Sequence, residues 1–451
     1  MPEPVGYSEV HNSILVVGGG IAGLSAAIEA AEAGSEVFLV EKEGFLGGRV
    51  AQLAKYFPKL CPPHCGLEIN YQRLKKNRRV RFFTMAQVER IEGRPGDFTV
   101  AIRQRPRYVN DRCTACNDCV AACPVDRPDR FNLGMGVTRA VYIPYPMAFP
   151  RKYAIDDSVC PLEQCAKCVD ACSYGAIDLA MQPKTFDLKV GAVVFATGWQ
   201  PYDAGRIDNL GFGRYADVIT NMMLERLAAP DGPTRGRIVR PSDGKPVRSV
   251  AFVQCAGSRD ASHLGYCSSI CCMASLKEAV YIREQIPEAK VHIFYIDLRT
   301  PGPLEFFSKR VQADPGVSVM KGKVAAIVED RSTGELIVQA EDILSSRKIS
   351  LRVDLVVLAT GMASSVDQPP EGPLAYDNDG FLLPDETAPG IFAAGCARGP
   401  VDVATAVQDA TAAALKAMRA IHQAGAQRNG GPAAPAGDGR AGKAEVDSAA
   451  E

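Results

Sequence analysis

The stretch "SILVVGGGIAGLSAAIEAAEAGSEVFLVEK", residues 13–42, decides the fold. It opens on an apolar run that ends in glycines, continues as a helix-periodic segment closing on Gly34, and finishes in a second apolar strand, "EVFLVEK". Strand, turn, helix, strand is a β-α-β unit, and its parallel strands predict a buried sheet covered by helices. Gly18, Gly20 and Gly23 stand in G-x-G-x-x-G spacing at the strand–helix junction. Glycines there allow a tight turn, close approach of a pyrophosphate, and close helix–strand packing. Ile21 and Ala22 open the helix, whose free N–H groups face the anion. Glu41 and Lys42 end the next strand, about 20 residues on, where a carboxylate accepts hydrogen bonds from ribose hydroxyls and repels a 2′-phosphate. A glycine-rich turn in an unrelated protein is the competing reading, and the strand–helix–strand context disfavours it.

Outward from this unit the plan repeats. "VGAVVFATG" (190–198) and "VDLVVLATG" (353–361) are near-copies of a buried strand closing on a Thr-Gly turn. Between them "SVAFVQC", "MASLKEAVYIREQI" and "KVHIFYIDL" form a second β-α-β unit, and "GIFAAGCARGPVDVATAVQDATAAALKAM" (390–418) is a strand followed by a long alanine-rich helix. The chain has 451 residues, 47% hydrophobic and 23% charged, enough for two or three domains with full cores. A net charge of -1 gives no case for binding nucleic acid or anionic lipid. The start, "MPEPVGYSEVHNS", lacks the features of a secretion signal, and no run of about 18 apolar residues spans a membrane. The expectation is a cytoplasmic protein that reaches a membrane only through a partner.

Further marks sharpen the first unit. "GGR" (Gly47, Gly48, Arg49), the two "ATG" turns (Ala196, Thr197, Gly198 and, in the second copy, Gly361) and the closing "GIFAAG" resemble the thioredoxin-reductase-like class of FAD proteins. The resemblance implies that Gly395 lies near the ribityl chain, and that the helix starting near Asp402 and Val403 points its N-terminus at the flavin pyrimidine, where reduction places negative charge. Cys396 stands where many such proteins carry an aspartate. The expected fold is α/β, a two-domain FAD/NAD(P)-type flavoprotein with an inserted ferredoxin-like domain. Its expected segments are a first FAD-binding part (12–105), the insertion (106–182), an FAD-domain continuation and connection (183–235), a degenerate NAD(P)-type domain (236–351), a last FAD-binding part (352–424) and a disordered tail (425–451).

Fifteen cysteines, grouped rather than scattered, carry the rest of the information. In a reducing compartment such grouping points to metal or redox work more than to structural disulfides. Cys113, Cys116, Cys119, Cys123 and Pro124 make the C-x2-C-x2-C-x3-C-P run of bacterial ferredoxins, whose fourth cysteine ligates the other cluster. Cys160, Cys165, Cys168 and Cys172 form a second, less regular run. Crossing the fourth ligands groups Cys113, Cys116, Cys119 and Cys172 around one [4Fe-4S] cluster, and Cys123, Cys160, Cys165 and Cys168 around another. Two zinc sites are the alternative, which the tandem spacing disfavours.

The second β-α-β unit lacks the phosphate-cradling glycines. "AGSRDASHLGYCSSICC" follows its strand instead, so Cys255 ends the strand while Cys267, Cys271 and Cys272 open the helix. A strand end and a helix start meet at the top of such a sheet, and four thiolates are what a cubane needs; buried thiols with no metal are the alternative. Over roughly residues 12 to 420 the pattern "VQCAGSRD…YCSSICCMASLKEA" resembles the heterodisulfide reductase A family. That resemblance implies a third [4Fe-4S] cluster beside the FAD, and places Lys277 against the flavin N5.

Within that family, "FLGGRVAQLAKYFPKLCPPHCGLEINYQRLK" and "RPRYVNDRCTAC" look closest to the flavoproteins of the quinone-interacting membrane-bound oxidoreductase. This implies an electron-transfer component between the menaquinone pool and adenylylsulfate (APS) reductase. Its partners would be a membrane-embedded haem/quinone subunit together with a second flavo-iron-sulfur subunit. The alternatives are a flavin component of heterodisulfide-reductase type, bifurcating or not, and an NAD(P)H-dependent disulfide reductase using Cys61 and Cys65. Those two cysteines also fit ligands shared with a partner, or free thiols.

Overall fold

A computed structural model describes residues 11–366, 368–384 and 386–428; the expected tail beyond 428 lies outside the described residues. Strand Ser13–Val17 is the centre of a five-stranded sheet, ordered 391–393, 192–195, 13–17, 36–41 and 80–84, with every neighbour parallel. Its central strands are apolar on both faces because helices cover one face and an antiparallel sheet covers the other. The fingerprint helix Ile21–Glu32 and the closing helix Val403–Arg428 pack against each other through alanines, Ala26, Ala30, Ala410 and Ala417 all being buried. Small side chains let the two backbones approach, and sequestering this apolar face from water supplies the driving force. An antiparallel three-stranded sheet (86–94, 97–104, 184–190) flanks it.

The cysteine-rich stretch leaves and re-enters between two paired strands of that smaller sheet, Asp97–Gln104 and Lys184–Val190, so it inserts without disturbing the register on either side. It holds two short helices, Asp118–Ala122 and Lys167–Asp170, around a small core of its own. Arg107 ties it down: its guanidinium donates to the carbonyls of Gly44, Lys152 and Tyr153 and to Thr84 Oγ1.

A second five-stranded parallel sheet has the order 218–220, 355–360, 249–256, 290–295 and 317–321, and an antiparallel sheet (324–330, 335–342, 347–353) adjoins it. Two expectations are corrected here. Strand Leu355–Thr360, read above as the return to the FAD-binding part, belongs to the second sheet, and the chain re-enters the first sheet only at Ile391–Ala393. The closing helix also runs through 425 to Arg428, past the expected start of the tail. Trp199–Pro201 and Met362–Ser364 pair antiparallel, and the latter strand leads the chain back out of the second unit toward the first sheet. Among the described residues no helix is long and apolar enough to cross a membrane.

Candidate functional site: a dinucleotide cavity beside a thiol group

One cavity of about 860 Å³ runs from the glycine fingerprint to the second unit. The fingerprint forms its floor. Gly18 has φ +106°, and a Cβ there would collide with the Ala196 carbonyl, while a Cβ on Gly23 would collide with the Gly18 carbonyl. Both positions therefore require glycine, the first for conformation and approach, the second for helix–strand packing. Glu41 is buried at the end of its strand, its Oε2 accepting from Gly19 N (2.6 Å) and its Oε1 from Glu43 N (2.7 Å). Burial pushes its carboxyl up to about 7, against those two N–H bonds, which pull it down.

Gly18, Gly20, Ile21, Ala22, Glu41, Lys42, Gly48, Arg49, Ala196, Thr197, Gly198, Asp402, Val403 and Lys277 all line this cavity. Asp402 caps the closing helix, its Oδ1 accepting from Thr405 N at 2.8 Å. Three expected cofactor residues stand outside the lining. Gly23 and Gly395 serve packing, Gly395 (φ +58°) lying against Ala22 and Ala406. Gly361 packs instead under Ser258 and Ser268 in the thiol loop, because its strand belongs to the second sheet.

A further wall of the cavity comes from two helices of the second unit. Helix Asn221–Ala228 brings Glu225, and helix Cys271–Gln285 brings Ala274, Lys277 and Glu278, one stripe at helical spacing with Ile270. Lys277 Nζ lies 2.8 Å from Glu225 Oε1 and donates to the Lys55 carbonyl at 2.8 Å; it and Glu225 are almost fully buried. Glu225 Oε2 accepts from Ala54 N (2.8 Å) and Tyr281 OH (3.3 Å). Sequence reasoning finds Lys277 and misses Glu225 and Glu278. A charged pair at 277–278 within the apolar stretch 271–282 of that helix is the available signal.

The thiols gather in three sets. Cys113, Cys116, Cys119 and Cys172 line one small cavity in the insertion. Cys160 and Cys168 each feel the charge of Cys123 and Cys165, which are the members of the second expected set. Cys271 feels Cys255, Cys272 and Cys267. Burial first and neighbouring thiols next raise Cys119 to about 12 and Cys168 and Cys255 to about 11, and they raise Cys271 as well. Thiols so crowded repel one another as thiolates, which is the electrostatic situation that bound iron compensates. Among the described residues no three His, Cys, Asp or Glu side chains close to the spacing of a single metal ion. A cube of iron and sulfide requires ligands held farther apart than a single ion does, so the donor sets fit clusters by chemistry and grouping.

The third set replaces a nucleotide loop. Cys255 has φ +56°, and strand pairing slips between Val253 and Ala256, so the strand end is bent where the thiol is presented. Cys271 and Cys272 are the first residues of their helix, which has no side-chain cap, and an uncapped N-terminus favours thiolate. Arg299 N also donates to Cys272 Sγ (3.3 Å), and Ser269 N to Cys267 Sγ (3.4 Å). Cys61 and Cys65 are exposed, on a loop and in the first turn of helix Pro63–Lys76; Cys396 is buried and lines the large cavity.

Fold and cavity together define the thioredoxin-reductase-like α/β fold of FAD oxidoreductases. The family described as FAD dependent oxidoreductase matches residues 13–116. Thioredoxin reductase of T. acidophilum superposes with a TM-score of 0.51 at 15% identity, covering 91% of this chain and 99% of its own. That of Lactococcus lactis in its FR conformation gives 0.50 at 14% identity, with the same coverage. Sequence comparison is more particular: the chain is homologous to the iron–sulfur flavoproteins of the heterodisulfide reductase A family. It is 41% identical over 424 residues to the iron-sulfur A chain of CoB–CoM heterodisulfide reductase from Methanocaldococcus jannaschii, covering 90% of this chain and 64% of that one. Identity is 38% over 441 residues to the corresponding A 1 chain of Methanopyrus kandleri, covering 93% and 66%. It is 36% over 437 residues to the A component of the H(2):CoB-CoM heterodisulfide,ferredoxin reductase of Methanothermobacter marburgensis, covering 92% and 65%. The chain thus spans just under two thirds of the length of these relatives.

Proposed function

We propose that this chain is the flavin and iron–sulfur electron-transfer component of a heterodisulfide-reductase-type complex. The observation that carries the reading is the second β-α-β unit, where four thiols occupy the place of a nucleotide loop beside a dinucleotide cavity. In this reading the cavity holds FAD, with Glu41 at the ribose, Gly18 and Gly20 with the N-terminus of helix Ile21–Glu32 at the pyrophosphate, and the start of the closing helix, after Asp402, at the pyrimidine. Three [4Fe-4S] clusters sit on the three thiol sets, which supply four ligands each. Flavin exchanges electrons singly or in pairs and so couples one-electron clusters to a two-electron partner. The protein's own part is to exclude water from the ring with Ile270, Met222 and Leu304, and to keep the Lys277 ammonium buried and paired by Glu225 until charge develops on the flavin. Cys255, Cys267, Cys271 and Cys272 would hold the cluster through which electrons would enter in place of NADH, and the working protein would be an assembly with a second flavo-iron-sulfur subunit.

A second reading is favoured by one stretch. "KYFPKLCPPHCGLEINYQRLK" resembles the quinone-interacting oxidoreductase, in which the same component works between menaquinone and APS reductase with a membrane haem subunit. The homologues by name support the heterodisulfide-reductase type better. Co-purification from native extract separates the two: thiol–disulfide-reducing subunits support the first, and a haem-containing membrane protein supports the second. A chain isolated without flavin or iron defeats both.

A further inference from the structure

Glu278 is fully buried and lines the large cavity; neither carboxylate oxygen meets a hydrogen-bond donor, and its hydrogen-bonding neighbour is the Glu225 carboxylate. A buried carboxylate with no donor is strongly disfavoured, so a carboxyl in this position keeps its proton. The groups that face it come from two elements. Glu225, on helix Asn221–Ala228, carries the like charge that opposes ionisation, while Lys277 on Glu278's own helix favours it. Lys277 is already committed at 2.8 Å to Glu225, and Tyr281 donates to Glu225 and to the Lys55 carbonyl. Lys55 turns its ammonium to Glu284 at 3.0 Å. Burial first, and the Glu225 charge next, raise the Glu278 carboxyl well above the ordinary range. One cation, Lys277, thus sits with two carboxyl groups, and charge balance leaves one of them protonated.

We propose that Glu278 is the proton store of the flavin site: it holds a proton while the flavin is oxidised, and gives it up when the flavin is reduced. The inference rests on the reading that the cavity binds FAD. Reduction by two electrons, delivered singly by an iron–sulfur cluster, makes the flavin take up one proton at N5. Lys277 gives an N–H proton to the ring and takes the Glu278 proton in its place. Glu278 ends as a carboxylate, and the reverse steps return the proton on reoxidation. No proton is exchanged with bulk water. The restored Lys277 ammonium compensates the charge that appears on Glu278.

Reduced-minus-oxidised infrared difference spectra of the flavin-loaded chain test this. Loss of a protonated-carboxyl carbonyl band and gain of a carboxylate band are expected on reduction, both absent in Glu278→Gln. The second measurement is the flavin midpoint potential around neutral pH. Wild type is expected to be flat, and in Glu278→Gln the oxidised-to-reduced ratio at fixed potential rises about tenfold per pH unit, because the proton then comes from water. No carboxyl band change in wild type, or a wild-type potential that falls with pH as in the variant, overturns the proposal. If Glu278→Gln does not fold, the wild-type slope alone decides. A chain without flavin absorbance refutes the underlying reading, whereas a flavin-bound chain with an unchanging carboxyl refutes this inference only.

Discussion

In the first β-α-β unit a strand meets its helix through three glycines; in the second, the equivalent junction carries four cysteines. Both junctions lie at the carboxyl end of a parallel sheet, where strand ends and helix N-termini converge. At the first, Gly18 and Gly23 let backbone approach backbone and leave N–H groups free for a phosphate. At the second, Cys255 takes a left-handed conformation usually left to glycine, and Cys271 and Cys272 occupy the helix start. The same electropositive corner can serve a phosphate or a set of thiolates. What differs is whether side chains are absent or reactive.

The comparison can be broken first at the glycines. Gly23→Val should abolish flavin binding, because its side chain meets the Gly18 carbonyl, while the thiol sets in the second unit and the insertion keep their iron. Absorbance and iron assays on one preparation check both halves. At the cysteines the converse is expected. The loaded chain should carry about twelve irons and one flavin, and Cys271→Ser or Cys272→Ser should remove about a third of the iron while the flavin stays. Cys113→Ser should lose iron from the insertion and leave the cluster beside the flavin in place.

Lys277→Ala sharpens the link between the units. It strands Glu225 next to Glu278 and should lower stability by about 3 kcal/mol in chemical denaturation. It should also make the reduced flavin less stable without changing iron content, and Glu225→Gln in the same chain should restore much of the folding loss.

A comparable effect, spread over a pH window, belongs to the first unit alone. Glu41 has a folded-state carboxyl raised from 4.5 to about 7 by burial. The folded protein therefore holds that proton more tightly than the unfolded one. The stability this contributes is fully present below pH 4.5 and is lost as pH rises through about 7. In flavin-free protein, the stability of wild type relative to Glu41→Gln should fall over that window by on the order of 3 kcal/mol. Denaturant titrations across the window measure it.

Much of this contrast is legible in the sequence. Glycine spacing speaks directly about backbone geometry, and the crossed grouping of Cys172 with Cys113, Cys116 and Cys119 follows from ferredoxin spacing alone. The strand Leu355–Thr360 is misplaced by sequence reading because its "ATG" ending matches that of Ala192–Phe195. Local sequence does not say which sheet a buried parallel strand joins; that depends on neighbours a hundred residues away. Gly361 shares the error of its strand. Glu225 and Glu278 escape notice for a related reason. A Glu in a helix is usually solvated, and only the packing of two distant helices buries these two against one cavity.

The central claim is that the second junction has exchanged nucleotide binding for electron transfer through thiol-bound iron. Anaerobic stopped-flow mixing of the loaded chain with NADH, and separately with a one-electron donor, tests it most directly. Slow, incomplete bleaching of the flavin by NADH and fast reduction by the one-electron donor, lost in Cys271→Ser, are predicted. Rapid stoichiometric bleaching by NADH would contradict the account.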